Sequence, residues 1–135
     1  MSKHTILKIL DHSADKPERN LAIDEQLLSD LEKGIGSPTL RFWESSTYFV
    51  VLGSSNKAEI ECNIEACEAD EIPILKRCSG GGTVLQGPDC LNYALILNTD
   101  DHDALKQIKS SNEYIMHKNR DALSTLLPGL EVKGY

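Results

Sequence analysis

The residues best equipped to do chemistry lie together between positions 76 and 83, where Lys76-Arg77-Cys78-Ser79 runs directly into Gly80-Gly81-Gly82 and Thr83. A two-residue hairpin turn is served by a single glycine, so three in succession ask for another explanation. Without Cβ atoms, consecutive backbone N–H groups can face a phosphate or a carboxylate, and Lys76 and Arg77 place positive charge beside that concavity. No Gly-Lys-Ser/Thr follows, so this is not a Walker A loop, and the spacing does not fit GxGxxG. The residue types alone leave two readings open, an anion cradle and a glycine-rich hinge.

Other reactive side chains carry weaker signals. Cys62, Cys67, Cys78 and Cys90 form no CxxC pair and have no histidine at metal-ligand spacing, so no metal site is assigned. Free thiols, mostly buried as small apolar groups, are expected. Cys78 and Cys90 flank the glycine segment, but a reactive thiol needs surroundings that lower its pKa. His4, His12, His102 and His117 lie in polar stretches and read as surface residues. Trp43 and Tyr93 read as core or wall residues, and Asp24 and Glu25 as solvent-facing or capping charges.

These residues must be positioned by a chain of 135 residues, a size that suits a single core. Apolar residues at 40% and charged residues at 26% are typical of a folded soluble protein. The net charge of −7 is local, because residues 59–71 hold six acidic groups and no basic one, as on a solvated helix face. With the remainder near neutral and aromatics at 5%, nucleic acid is not an expected partner. The longest strongly apolar run, Tyr48 to Leu52, is far too short to span a membrane, and the N-terminus has no signal-peptide pattern. A cytoplasmic location is expected.

The periodicity of LAIDEQLLSDLEK predicts an amphipathic helix between Asn20 and Lys33, with Ile23, Leu27, Leu28 and Leu31 on its apolar stripe and Gly34 as its stop. Residues 39–44 and 48–53 read as two strands forming a hairpin. Asn63 is expected to cap a short acidic helix through Asp70, which Pro73 follows. Short strands at 74–75 and 83–85 bracket the glycine loop. Residues 90–97 are apolar enough for a central strand. Helices are predicted over 104–109 and from Asn112 to Leu126, with Ile115, Asn119 and Leu123 inward, and a last strand over 130–133 ends at Tyr135. Together these elements predict an α/β (α+β) fold, a mixed sheet flanked by helices.

The order Asn20-Leu-Ala-Ile-Asp-Glu25, LRFWE, YFVVLG, Glu61-Cys-Asn63, LKRCSGGGTV and Leu91-Asn92-Tyr93 resembles the lipoate-protein ligase A branch of the biotin/lipoate ligase and octanoyltransferase superfamily. The likeness covers nearly the whole chain. It implies a fold like that of biotin ligases and class II aminoacyl-tRNA synthetases, with residues 1–135 forming the N-terminal part of the catalytic domain. It also implies ATP-dependent activation of lipoate to lipoyl-AMP, with Mg2+, followed by transfer to a lysine of a carrier domain. That carrier is the lipoyl domain of a 2-oxoacid dehydrogenase or a glycine cleavage H-type protein. By the same resemblance Arg77, Ser79, Gly80, Gly81, Gly82 and Asn92 bind the adenylate, with Lys76, Gly53 and Thr83 as subsidiary positions. Asn92 would hold the adenylate or its magnesium. Lys76 stands where many members carry an arginine and keeps the charge without the planar fork.

The family's key lysine lies in a later segment of the form KxSGxAQ, and its octanoyltransferase members use a cysteine from the same later region. Neither is among the 135 residues. Lys133 precedes the place of that motif and is assigned no catalytic role, and no catalytic residue is identified. The sequence therefore predicts a fragment or one subunit of a split ligase, completed by a C-terminal partner. The alternatives are a non-catalytic module that binds a ligand or partner, or an octanoyltransferase fragment. An unfinished edge strand would favour self-association.

Overall fold

The computed structural model describes residues 6–134, so His4 and Tyr135 lie outside the described residues. The chain divides into two compact units, one formed by Ile6–Ile96 and the other, among the described residues, by 97–134.

The first unit contains two three-stranded mixed sheets. In one, β1 (Lys8–Asp11) runs parallel to β2 (Thr39–Trp43), and β2 pairs antiparallel with β6 (Asn92–Ile96), Trp43 facing Asn92. In the other, β3 (Phe49–Leu52) lies between parallel β4 (Ile74–Lys76) and antiparallel β5 (Val84–Gln86). Every residue of β3 is buried, as its unbroken apolar run requires. Trp43 of β2 stacks on Phe49 of β3 with ring centroids 6.3 Å apart, and with Val51 these rings form the core, joined at its margin by Leu21 and Leu75. Burying a side chain of this size is worth about 1.5–3 kcal/mol.

The expected hairpin of β2 and β3 does not form. Ser45 is buried, and its Oγ donates to the Thr47 carbonyl at 2.7 Å and accepts the Thr47 N–H at 3.3 Å. That side-chain turn redirects the chain, and the two strands enter different sheets. The apolar segment 90–97 is likewise no central strand. β2 takes the middle of its sheet, β6 an edge, and Leu91 and Tyr93 are exposed, against the expectation that Tyr93 packs inside.

Helix α1 (Pro17–Glu32) starts three residues before Asn20 because Pro17, with φ preset and no N–H to satisfy, suits the first helical position. It stops where predicted, the Gly34 N–H closing on the Leu31 carbonyl at 3.0 Å. Leu31 is buried and Ile23 and Leu27 half-buried, while Leu28 faces solvent. After the short α2 (Ala58–Glu61), α3 (Ile64–Ala69) is capped as expected, Asn63 Oδ1 accepting the Ala66 N–H at 3.1 Å.

In the second unit two 3₁₀ turns, Thr99–Asp101 and Asp103–Lys106, stand where a helix over 104–109 is predicted. Extended His102 separates them, its Nδ1 accepting the Ala104 N–H at 3.1 Å and its ring stacking on Tyr114. Helix α4 (Ile108–Leu123) begins four residues before Asn112, which lies inside it, and none of its residues is fully buried. Residues 130–133 form no strand. No helix among the described residues is long and apolar enough to cross a membrane.

Candidate functional site

The glycine loop is folded against β3 and β4 by its own carbonyl groups. The Arg77 N–H donates to Leu52 O at 3.0 Å, extending the β4 ladder by one residue. From there the guanidinium turns back into the loop. Its Nη2 donates to Gly80 O and Gly82 O, both at 2.8 Å, and its Nε to Gly80 O at 3.2 Å. From the other side Asn56 Nδ2 donates to Gly81 O at 3.0 Å and to Thr83 Oγ1 at 3.1 Å, while the Ser54 N–H donates to Ser79 O at 2.9 Å. The carbonyls of residues 79–82 are thus all occupied. The N–H groups of Gly80, Gly81 and Gly82 have no acceptor among the described residues. Gly81, at φ +99°, holds a backbone conformation open mainly to glycine. A loop with its oxygens tied back and successive N–H groups left unpaired is the backbone arrangement that takes an anion.

Gly53 closes the arrangement from the end of β3. A Cβ there would collide with the Gly81 carbonyl and stand 3.2 Å from Asn56 Nδ2, so glycine is required for space. The structure joins Gly53, Arg77, Ser79, the three glycines and Thr83 through direct contacts. Lys76 ends β4 with its side chain exposed, beside an open cleft of about 840 Å3 lined also by Leu52, Asn56, Lys57, Ile74 and Leu75. Asn92 stands on the other sheet, its amide donating to Cys90 O at 3.1 Å, and no hydrogen bond among the described residues joins it to the loop. Asn56 is absent from the sequence-based assignment. Its one signal is a polar residue three positions after a strand-ending glycine.

The burial of Arg41 and its pairing with Asp24 were not expected from sequence. Arg41 is fully buried. Its Nη1 donates to Asp24 Oδ1 at 2.6 Å and Asn20 O at 2.9 Å, and its Nη2 to Asn20 Oδ1 at 2.6 Å and His12 O at 3.0 Å. Trp43 Nε1 completes the carboxylate at 3.1 Å, so Asp24 is neither a cap nor a solvent-facing charge. Two local periodicities converge here: Asn20 and Asp24 share a helix face, and Arg41 and Trp43 share a strand face.

Burial pushes the Asp24 carboxyl above its ordinary pKa, against the opposing pull of Arg41 and Trp43. The folded chain then holds this proton more tightly than the unfolded one. Stability from this group is full below the unfolded value and is lost as pH rises through the folded one. Urea unfolding at a series of acidic pH values should therefore show wild-type stability falling relative to Asp24→Asn across that window. Wild-type stability rising relative to Asp24→Asn over the same pH range would mean that the Arg41 pairing dominates.

The cysteines are free, but none is fully buried as expected. Cys62 and Cys67 are half-exposed, and Cys78 and Cys90 are exposed. Partial desolvation and then the Glu25 carboxylate push the Cys78 thiol up, away from nucleophilic thiolate character.

Residues 16–125, which run from just before α1 to just past α4, match the family model of the lipoyl protein ligase A/B catalytic domain. The chain belongs to this family. An octanoyltransferase LipM of Exiguobacterium sp. is 34% identical to it over 93 residues, which is 69% of this chain and 33% of that protein. A lipoate-protein ligase A of Psychrobacter cryohalolentis is 34% identical over 97 residues, 72% of this chain and 28% of that protein. The lipoyl protein ligase A/B domain described here thus spans about a third of the length of these relatives.

Among solved structures, an archaeal bi-partite lipoate protein ligase from Thermoplasma acidophilum, described with its E2 lipoyl domain, superposes with a TM-score of 0.74. The match has 24% identity and covers 98% of this chain and 49% of that one. A lipoate-protein ligase A bound with ATP gives 0.57 at 26% identity, over 69% and 36%. The lipoyl protein ligase A/B domain therefore has the biotin/lipoate ligase fold that its sequence predicts.

Proposed function

We propose that this chain is the N-terminal, adenylate-binding part of a lipoate-protein ligase catalytic domain. The observation that carries the reading is the loop at residues 79–82, whose carbonyls are bound inward and whose glycine N–H groups are unpaired. Such donors suit the acyl-phosphate of lipoyl-AMP and the charge that develops on it during transfer. Arg77 sets the shape of the loop and contributes its positive charge from behind. The exposed Ser79 hydroxyl adds a donor, and Lys76 a mobile point charge. The apolar tail of lipoate would lie along the sheet.

ATP is the activating substrate in this reading, in keeping with the ATP-bound lipoate-protein ligase A among its structural neighbours. The described residues gather no group of three or more His, Cys, Asp or Glu side chains able to hold a metal ion. Mg2+ would therefore be held mainly through the nucleotide phosphates, with the amide oxygen of Asn92 a suitable hard ligand. The acyl acceptor is a lysine of a lipoyl carrier domain, the class of partner described with the archaeal ligase. The reaction belongs in the cytoplasm.

Lipoyl-AMP added well above its dissociation constant should raise the melting temperature by several degrees, on the order of 2–3 kcal/mol at about a hundredfold excess. Arg77→Ala should lose most of that shift. Absence of protection in both proteins would overturn the ligand site.

The likeness to LipM supports a second reading, in which the same donors hold the oxyanion of an octanoyl thioester. Protection by an octanoylated carrier domain, with none by lipoyl-AMP, would select it.

A further inference from the structure

Cys62 and Cys67 bracket the start of α3 in a specific way. Asn63 is the N-cap, so Cys62 occupies the position before the cap and Cys67 the fourth helical position. Side chains at these two positions close over a capped helix start and pack together, the arrangement usually filled by an apolar pair. Here the cap bond is made, with Asn63 accepting the Ala66 N–H, and the Cys67 N–H bonds to Asn63 O at 3.0 Å. The cap thereby fixes both ends of the pair. Both cysteines line one cavity of about 350 Å3, shared with Val50, Thr83 and Val84, and both are half-exposed free thiols. They are therefore within reach of a small solute.

We propose that Cys62 and Cys67 form a reversible dithiol–disulfide site that exchanges with small-molecule disulfides. This inference is independent of the adenylate reading. One cysteine thiolate attacks a sulfur of the small disulfide, forming a mixed disulfide and expelling one thiolate. The other cysteine, as its thiolate, then attacks the protein sulfur of that mixed disulfide and expels the second thiolate. The protein loses two electrons and two protons, and the small disulfide leaves as two thiols. Partial desolvation, then the neighbouring Cys67 and Glu61, push the Cys62 thiol up, so attack by its thiolate is favoured as the pH is raised. Closure would stiffen the wall that Thr83 and Val84 share with the pair.

The test uses the full chain incubated with oxidised glutathione and digested with trypsin. Residues 58–76 form one tryptic peptide that holds Cys62 and Cys67 and excludes Cys78 and Cys90. The expected product is this peptide lighter by two hydrogens, resistant to alkylation and restored by dithiothreitol. Cys62→Ser should abolish it and leave a glutathione adduct on Cys67. Two adducts on the wild-type peptide, alkylation of both thiols, or a cross-link to Cys78 or Cys90 would overturn the proposal.

Discussion

Arg41→Ala is expected to cost about 3–5 kcal/mol, the penalty for removing one partner of a buried charge pair. That is a large share of the stability of a typical domain. The side chain is wholly buried and holds the Asp24 carboxylate, the Asn20 carbonyl and amide oxygen, and the His12 carbonyl. Truncation would strip each of these acceptors of its guanidinium donor, leaving Asp24 with Trp43 and the Asn20 amide oxygen with the Ala14 N–H, and would open a void beside Trp43, whose ring the guanidinium overlies at 5.5 Å. Arg41→Lys should recover part of the loss, since an ammonium restores the charge and reaches fewer of the acceptors. Arg41→Met should recover less, because two of the acceptors are backbone carbonyls that no substitution removes. Urea unfolding followed by circular dichroism checks the order wild type, Lys, Met, Ala. A loss under about 1 kcal/mol for Ala would show that the network is peripheral to stability.

Gly53→Ala is expected to leave the fold intact and disable the loop. The added methyl would occupy the place of the Gly81 carbonyl, which is backbone and cannot swing aside as a side-chain tip can. Displacing that carbonyl breaks its bond from Asn56 and strains the two bonds from Arg77 on either side of it. The glycine N–H groups would then be shifted with the backbone that carries them. Losing a hydrogen bond to a charged group costs about 1.5–3 kcal/mol, so lipoyl-AMP binding by calorimetry should weaken by about ten- to a hundredfold. Secondary structure by circular dichroism should not change. Unaltered affinity would mean that the loop's shape does not matter to the ligand.

The contrast between these sites shows what was legible in the sequence. The glycine run and its adjacent arginine are local in the chain, and their types announce a close backbone approach. Helix α1 and the Asn63 cap were legible for the same reason, since periodicity and capping act within a few residues. The two-sheet arrangement was not, because the choice between a hairpin and two separate sheets depends on Ser45 binding its own backbone and on partners from β1 and β6. Asp24 and Arg41 were illegible for a related reason. A charge on a helix reads as solvent-facing until a residue 17 positions away is known to be buried against it. One signal was present. Thr39, Arg41 and Trp43 alternate along β2, and a buried Trp43 obliges Arg41 to be buried as well. Asn56 gave no comparable pattern, since its two partners lie 25 and 27 residues further on.

In the proposed function, the backbone N–H groups of Gly80, Gly81 and Gly82 bind the ligand's anionic group. The chain has nine glycines, so selective 15N-glycine labelling gives a spectrum simple enough to assign residue by residue. Titration with a non-hydrolysable lipoyl-adenylate mimic should move the resonances of those three glycines downfield, together and saturably, while Gly34 and Gly129 stay in place. Saturable binding that leaves Gly80, Gly81 and Gly82 unshifted would contradict the account, and so would no binding at all.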